Sequence, residues 1–409
     1  MDWTQYDKYQ CQRWVSLKEV FVSHPGLQHA HQLAWGLHER GLLQAFWSGV
    51  PVLSDGEEFP YWLPVSYAQR VKKVGIPSEL RRHPMMFQGL LRAGGVLPSG
   101  FSREDYAHRI FHLFDWWVAQ HISRLQPKVV VAYENSAYHT FRAAKAIGAR
   151  CILDAPSLHH LAGTRLIKVK STPYLKEINR RKDEEIALAD MILTCSPLAA
   201  EGYLDAGVSA DKVRPMLLGA TLPDDVGGWR IHAQPLHFIF AGALSHRKAI
   251  DIILSVFKRL CTESLPYKLS FVGGQGEPGW VQKIEETPCA SYSPGVAQAA
   301  LYHMLAQADC LLLPSRFDSF GMVVAEAMAC GTPAIISTQT GAKAMIEQFP
   351  SSGWIVECDE DSLYQCIKAR IQNREALFAA RGYAFEASRH FTWKAYRGRV
   401  GQLIQDWMY

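Results

Sequence analysis

The chain has no C-x-x-C pair, no apolar run long enough to span a bilayer, no internal repeat and no large excess of either charge. Each absence removes a class of protein. Nine cysteines scattered through 409 residues, an odd number with no pairing pattern, speak against a disulfide frame or a thiolate zinc site and for reduced, buried thiols. The 43 basic and 39 acidic residues leave a net charge of only +4, without the broad positive field of a general nucleic-acid binder. The first twenty residues carry charges throughout and lack the apolar core of a signal peptide, so a cytoplasmic chain is expected.

What remains is an ordinary globular composition, 48% hydrophobic and 20% charged, with enough length for two cores. Short β-branched runs alternate with helix-period segments from end to end, the pattern of βα units on parallel sheets. In the first half strands are expected at 15–23, 43–48, 128–133, 150–154, 191–196 and 213–218. In the second they are expected at 236–241, 268–273, 289–292, 309–313, 334–337 and 354–357. Between the halves, residues 222–235 pair acidic residues with two glycines and two prolines and read as a linker. The expected domains are 1–225 and 226–389, each with its own sheet. Residues 49–105, rich in Pro and Gly, are expected to form loops and helices inserted in the first.

Two stretches of the second half carry chemistry. After the strand at 236–241, Gly242 leads through Ala243 to Arg247 and Lys248, at the entrance of a helix whose Ile250, Ile253, Leu254, Phe257 and Leu260 share one stripe. Adjacent cations at a strand's carboxyl end and a helix entrance suit a phosphate or diphosphate. The second stretch is ADCLLLPSRFDSFGMVVAEAMACGTP. Here Asp318 stands at a helix entrance and Glu326 about two turns further on. The amides near Gly321, Met322 and Val323 face the same way as the helix dipole. Two carboxylates so spaced can grip hydroxyls at separate points of one extended ligand.

The order G-x-L-x-x-R-K, a strand ending in V-G-G, then D-S-F-G-M-V-V-x-E-A-M-A-C-G-T-P resembles the C-terminal domain of retaining family-4 glycosyltransferases of the GT-B fold. The resemblance implies two Rossmann-like domains with parallel sheets facing a central cleft, the last helix, within 390–409, crossing back to the first domain. It implies transfer of a hexosyl unit from a nucleotide-diphosphate sugar to a hydroxyl acceptor with retention of configuration. The expected donor is a UDP-sugar ahead of a GDP- or ADP-sugar. In that family two acidic residues separated by seven hold the donor, and the motif falls on Asp318 and Glu326. Glu326 would then bind the ribose, Asp318 with the amides of Ser319, Phe320, Gly321 and Met322 the sugar hydroxyls, and Lys248 the diphosphate. Two departures stand out: Asp318 is a methylene shorter than the usual Glu, and Ala243 replaces a frequent arginine, whose charge Arg247 would supply.

The first half resembles the family more loosely. The loop His24 to His29 keeps one glycine, Gly26, of the usual pair; its Gly26 and Leu27 amides could reach the diphosphate, and His24 and Gln28 are acceptor-side candidates. So are Glu134 and Asn135, which end the strand at 128–133. His159 and His160 follow the strand at 150–154, where the family often carries a histidine near donor sugar and acceptor. The remaining signals stay open or point to plain structure. Gly274 to Gly279 form a G-x-G-x-x-G that reads as a Gly-rich turn rather than a dinucleotide loop, because Pro278 precedes the third glycine. Asp359 and Asp361 form a D-x-D that reads as a helix start, and no metal or cofactor is expected. Arg70, Lys72, Lys73, Arg81 and Arg82, with Tyr61, Trp62, Tyr67 and Phe87 nearby, read either as a solvated loop or as a peripheral contact with anionic lipid at the cytoplasmic membrane face. The alternatives to glycosyl transfer are a GT-B sugar phosphorylase or sucrose-synthase-like enzyme, and a nucleotide-sugar or glycan binder without turnover. The acceptor would be a glycan, a lipid-linked sugar or a small molecule.

Overall fold

A computed structural model describes residues 18–54, 57, 71–93, 103–166, 173–223 and 235–409. The expected domain boundary at 225 lies outside the described residues, as do Tyr61, Trp62, Tyr67 and Arg70. Contacts divide the chain into two compact units. One holds the described residues up to Ala155, the stretch from 173 to Leu193 and Arg397–Tyr409; the other holds the described residues between Pro156 and 166 and those from Thr194 to Tyr396.

The first unit is built on β1 (Val20–His24), β2 (Leu43–Ser48), β3 (Val52–Leu53), β4 (Lys72–Lys73), β5 (Arg81–Arg82), β6 (Val129–Tyr133), β7 (Arg150–Asp154) and β8 (Met191–Thr194). Its main sheet runs β5-β2-β1-β6-β7-β8, every pair parallel. β1 and β6 are buried along their whole length, and their continuous apolar runs are what a sheet covered on both faces requires. The segment expected to hold only loops and helices also contributes β3 and β4, which pair with each other, and β5, which extends the sheet edge beside β2. Two-residue strands are too short to show the alternation by which a strand is read from sequence. From the last helix, Trp393–Met408, Arg397 donates to Glu39 at 2.9 Å and to Gln32 at 3.0 Å. Gln405 accepts from Arg40 at 2.8 Å.

In the second unit, β9 (Val213–Pro215) is a short strand followed by Met216, whose N–H donates to Thr194. The main sheet there is made of β10 (Leu236–Ala241), β11 (Tyr267–Val272), β12 (Ala290–Ser293), β13 (Cys310–Leu313), β14 (Ala334–Ser337) and β15 (Gly353–Val356). Its order, β12-β11-β10-β13-β14-β15, is parallel throughout and is the 3-2-1-4-5-6 order of a Rossmann domain. The order reverses between β10 and β13, so the loops after these two strands diverge and leave a crevice at their carboxyl ends. Arg247, Lys248 and Asp318 stand on those two loops. In the first unit the reversal falls between β1 and β6, which places His24 and Glu134 at the corresponding ends. The fold is α/β with two Rossmann-like domains. No helix among the described residues is long and apolar enough to cross a membrane.

Candidate active site

The loop after β10 is shaped by backbone contact. Gly242 has φ 152° and Gly273, on the neighbouring strand end, φ 148°; a Cβ on Gly273 would lie 1.9 Å from the Gly242 carbonyl oxygen. Only glycine allows that approach. The chain then enters a short 3₁₀ turn, His246–Lys248, and passes through Ala249 in the left-handed region into the helix Ile250–Thr262. The two cations thus sit at the carboxyl end of a central strand, with their backbone fixed by the turn.

The loop after β13 meets them. The Lys248 ammonium donates to the Asp318 carboxylate, and the two side chains are only 11% and 13% exposed. Arg247 Nη1 donates to the Phe317 carbonyl at 2.8 Å, and the Arg316 N–H donates to the Arg247 carbonyl at 2.9 Å. Arg316 in turn grips Asp251 through two bonds of 2.6 and 2.7 Å. Behind this loop the Asp318 N–H donates to Gln339 at 3.0 Å, while its carbonyl accepts from Gly341 N–H at 2.8 Å. Ser196 Oγ donates to the Ser319 carbonyl. Gly341 is obligatory here, since a Cβ would lie 2.0 Å from the Ser319 oxygen.

Gly321, at φ 86°, turns the chain into the helix Met322–Ala329. The first N–H groups of a helix have no acceptor within it, so those at the start of this one carry the positive end of its dipole. Glu326 is half-buried and accepts from Gln298 Nε2 at 3.1 Å; the same amide group reaches the Tyr302 hydroxyl at 2.9 Å. Burial first, and the Glu326 charge second, push the Tyr302 hydroxyl up from its ordinary pKa. The arrangement combines two fixed cations, helix-entrance donors and two carboxylates, a set able to hold an extended ligand with an anionic centre and hydroxyls on either side of it.

The acceptor-side candidates lie in the first unit, around the ends of β1 and β6. His24 is buried, packs at a 45° tilt with its ring centroid 4.1 Å from that of Tyr133 and accepts the Gly26 N–H at 2.9 Å on Nδ1; burial pulls its pKa down to about 3. Gln28 donates to the Tyr133 hydroxyl at 2.9 Å, and Leu27 accepts the Ala30 N–H. Glu134 is buried and paired with Lys182 at 3.1 Å. Asn135 accepts His112 Nε2 on its side chain at 3.0 Å, and its N–H donates to Glu185 at 2.6 Å. In the second unit, His159 is buried, stacks on His160 at 4.5 Å and meets Tyr203 edge-on at 5.3 Å.

Several groups escaped the sequence reading. Glu185 is wholly buried and takes N–H bonds from Asn135, Ala137 and Tyr138, yet burial still pushes its carboxyl up to about 8. Asp115, also buried, accepts from the His139 and Thr140 N–H groups and from Arg181 at 2.9 Å. His29 donates to Asp154 at 2.9 Å, pairing the first residue before a helix with the last of β7. Each pair is far apart in sequence and has no spacing to betray it. Asp115, between Phe114 and Trp116, interrupts an apolar pattern; Glu185 follows the charged run Arg180–Glu184 and carries no such signal.

Two of the competing signals have structural partners. Asp359 caps the helix Glu360–Gln372 by accepting the Ser362 N–H at 2.8 Å, and Asp361 pairs with Arg259. Within the glycine-rich turn, Glu277 N–H donates to the Leu244 carbonyl at 2.9 Å. Of the basic stretch, Arg81 is turned inward onto Glu57 and the Val52 carbonyl, and Arg82 lies 4.9 Å over the Trp47 ring; Lys72 and Lys73 are exposed.

Residues 226–384 match the family described as Glycosyl transferases group 1. A D-inositol 3-phosphate glycosyltransferase of Thermobifida fusca is 27% identical over 209 residues, 45% of this chain and 48% of that protein. The chain spans about half the length or less of the first curated relatives it matches. Among solved structures, sucrose-phosphate synthase of Thermosynechococcus elongatus aligns over 95% of this chain and 98% of its own, with 16% identity and a TM-score of 0.62. HepE of Anabaena, solved in complex with UDP, aligns over 95% and 100%, with 14% identity and the same TM-score. The chain therefore has the GT-B fold, and its second half carries the sequence pattern of group 1 glycosyl transferases.

Proposed function

We propose that the protein transfers a sugar from a nucleotide-diphosphate donor to a hydroxyl acceptor, with retention of configuration and without a metal, as a family-4 glycosyltransferase. The observation that carries this reading is the meeting of Arg247, Lys248 and Asp318 at the β10/β13 reversal, beside the helix that bears Glu326. The UDP complex of HepE supports a UDP-sugar as donor. Residues 226–389 would bind the donor and 1–225 serve the acceptor side, with His24, Gln28, Glu134 and Asn135 as its candidates.

In this reading, departure of the diphosphate builds negative charge that Arg247, Lys248 and the amides from Ser319 to Val323 stabilise; the Gly26 N–H, expected to serve the same group, is instead taken by His24 Nδ1. Lys248 must exchange Asp318 for a phosphate oxygen, and Asp318, released, accepts sugar hydroxyls. Glu326 accepts from the ribose. The acceptor hydroxyl attacks from the leaving-group face and passes its proton to a phosphate oxygen, with His159 or His160 placed beside the sugar. Both carboxylates of the donor loops are assigned to hydroxyls in this reading, and the diphosphate charge is left to Arg247 and Lys248. The test is a panel of UDP-, GDP- and ADP-sugars with the purified chain, following release of nucleotide diphosphate in excess EDTA. Release with a UDP-sugar and retention in the product support the reading. Thermal stabilisation by nucleotide sugars without any release would make the chain a binder, and release only in the presence of inorganic phosphate would make it a phosphorylase.

A further inference from the structure

The Phe317 carbonyl is held by Arg247, but its ring belongs to something else. It joins Leu158, Leu198 and Ala162 in an apolar cluster within the second unit. These four side chains line a cavity of about 220 Å³ whose remaining lining is Glu201, Gly202, Asp205 and Gln339. The cavity lies one residue from Asp318, and the Gln339 carbonyl is the one that accepts the Asp318 N–H. None of its carboxylates belongs to the donor set described above.

The lining selects a ligand chemistry. Glu201 and Asp205 are exposed, and stand four residues apart on one side of the helix Pro197–Leu204 and its cap, where the Asp205 N–H donates to the Glu201 carbonyl at 2.8 Å. Carboxylates are acceptors only, so each can take several O–H or N–H bonds, and the Gln339 amide can both give and take. No cation stands among the lining residues described, so a phosphate or carboxylate on the ligand would meet two like charges and no counter-charge. The apolar floor with one aromatic ring suits a C–H face. The volume falls below that of pockets for drug-sized molecules and fits a single ring. Acceptor carboxylates above an apolar floor describe a sugar, neutral or amino-substituted.

We propose that this cavity seats one non-anionic sugar ring of the acceptor, its C–H face on Phe317 and Leu198 and its hydroxyls on Glu201, Asp205 and Gln339. The inference rests on the glycosyl-transfer reading and names its acceptor class. Phe317 then couples two jobs: its carbonyl positions Arg247, while its ring positions the molecule to be glycosylated beside Asp318.

The test uses the full chain with ¹³C-labelled Leu and Ala methyl groups. Methyl β-D-glucopyranoside, methyl β-D-galactopyranoside, glucosamine and glucose 6-phosphate are titrated in turn, with UDP as a separate titration. The expected result is saturable shifts of the Leu158, Leu198 and Ala162 methyls with at least one uncharged or amino sugar. Glucose 6-phosphate should bind at least tenfold more weakly. Glu201→Ala and Asp205→Ala, both at exposed positions, should weaken the sugar about tenfold while UDP binding is unchanged. Equal or tighter binding of glucose 6-phosphate would overturn the ligand class, as would unchanged sugar affinity in both variants. If UDP binds and no sugar moves these methyls, the cavity assignment falls and the donor reading stands. If the sugars bind there and UDP does not bind at all, the donor reading falls instead.

Discussion

Replacing Lys248 by methionine should harm both the fold and the function, by separable amounts. In the structure the ammonium bonds the Asp318 carboxylate with about a tenth of each side chain exposed. Removing one member of a buried pair leaves the other charged and uncompensated, at a cost of about 3–5 kcal/mol. Because Asp318 keeps slight solvent contact, the lower figure, about 3 kcal/mol, applies. At roughly 2–4 °C per kcal/mol for a domain of this size, melting of the second domain should fall by about 6–12 °C. Adding Asp318→Asn should recover part of that loss, since the stranded charge disappears with it. A double-mutant cycle read by calorimetry should then give a coupling above about 1 kcal/mol. Transfer should fall roughly 10²–10³-fold in Lys248→Met, by analogy with removal of one oxyanion donor. A variant that melts with its parent and turns over within a factor of a few would refute both the pairing and the diphosphate role.

Other outcomes follow from the same geometry. Asp318→Asn alone should transfer poorly yet bind free UDP at least as tightly as the parent, because Lys248 no longer has to leave a carboxylate; calorimetric titration with UDP decides, and much weaker binding would contradict the exchange. Glu326→Gln should weaken UDP by about 1.5–3 kcal/mol, the value of a bond to a charged group, and a 2′-deoxy donor should lose little more in that variant. Glu185, raised to about 8 by burial, keeps its proton in the folded state while the unfolded chain loses it near 4.5, so folding takes up protons over that window and stability falls as pH rises from about 4.5 to 8. Glu185→Gln should flatten that slope in urea melts at pH 5 and 8; parallel slopes would count against it. His24 behaves oppositely. With its pKa pulled to about 3, the unfolded chain binds the extra proton, so stability is lost as pH falls from about 6.5 toward 3, and His24→Gln should shallow the acid limb.

Much of the candidate site's local structure is legible in the sequence, and the reason is local. Gly242, Arg247 and Lys248 lie within one βα turn, and Asp318 to Glu326 within another, so each half of the constellation is written in a short window whose strand and helix phases are easy to read. What no window holds is the link between them. Lys248 and Asp318 are separated by 70 residues, and they meet because β10 and β13 are neighbours in the sheet. Reading them separately assigned the lysine to a diphosphate and the aspartate to hydroxyls; their ion pair makes the two assignments compete. The strand cores at 43–48, 150–154, 236–241 and 334–337 were read to the residue because their buried apolar runs end at turn residues. β3, β4 and β5 were missed because two residues carry no period.

The first unit was harder for a physical reason. Its buried polar residues, in the helix Arg103–Leu125 and after β6, are held by partners from a distant helix. Arg181 reaches Asp115 across 66 positions, and Lys182 reaches Glu134 across 48. Such a network fixes the Glu134–Asn135 corner without any residue of a local motif, so composition and spacing report only an unexplained acid in an apolar run. The same network limits how that corner can act. Asn135 sits at φ 62°, its side chain bonded to His112 and its N–H to Glu185, so it is positioned before any ligand arrives. A group held in this way gains little by moving and offers fixed geometry instead. On this argument His112→Phe should loosen Asn135 while leaving the donor loops after β10 and β13 untouched. Acceptor KM should therefore rise with little change in UDP affinity. A matching loss of UDP binding would mean that the corner serves the fold as a whole and not the acceptor.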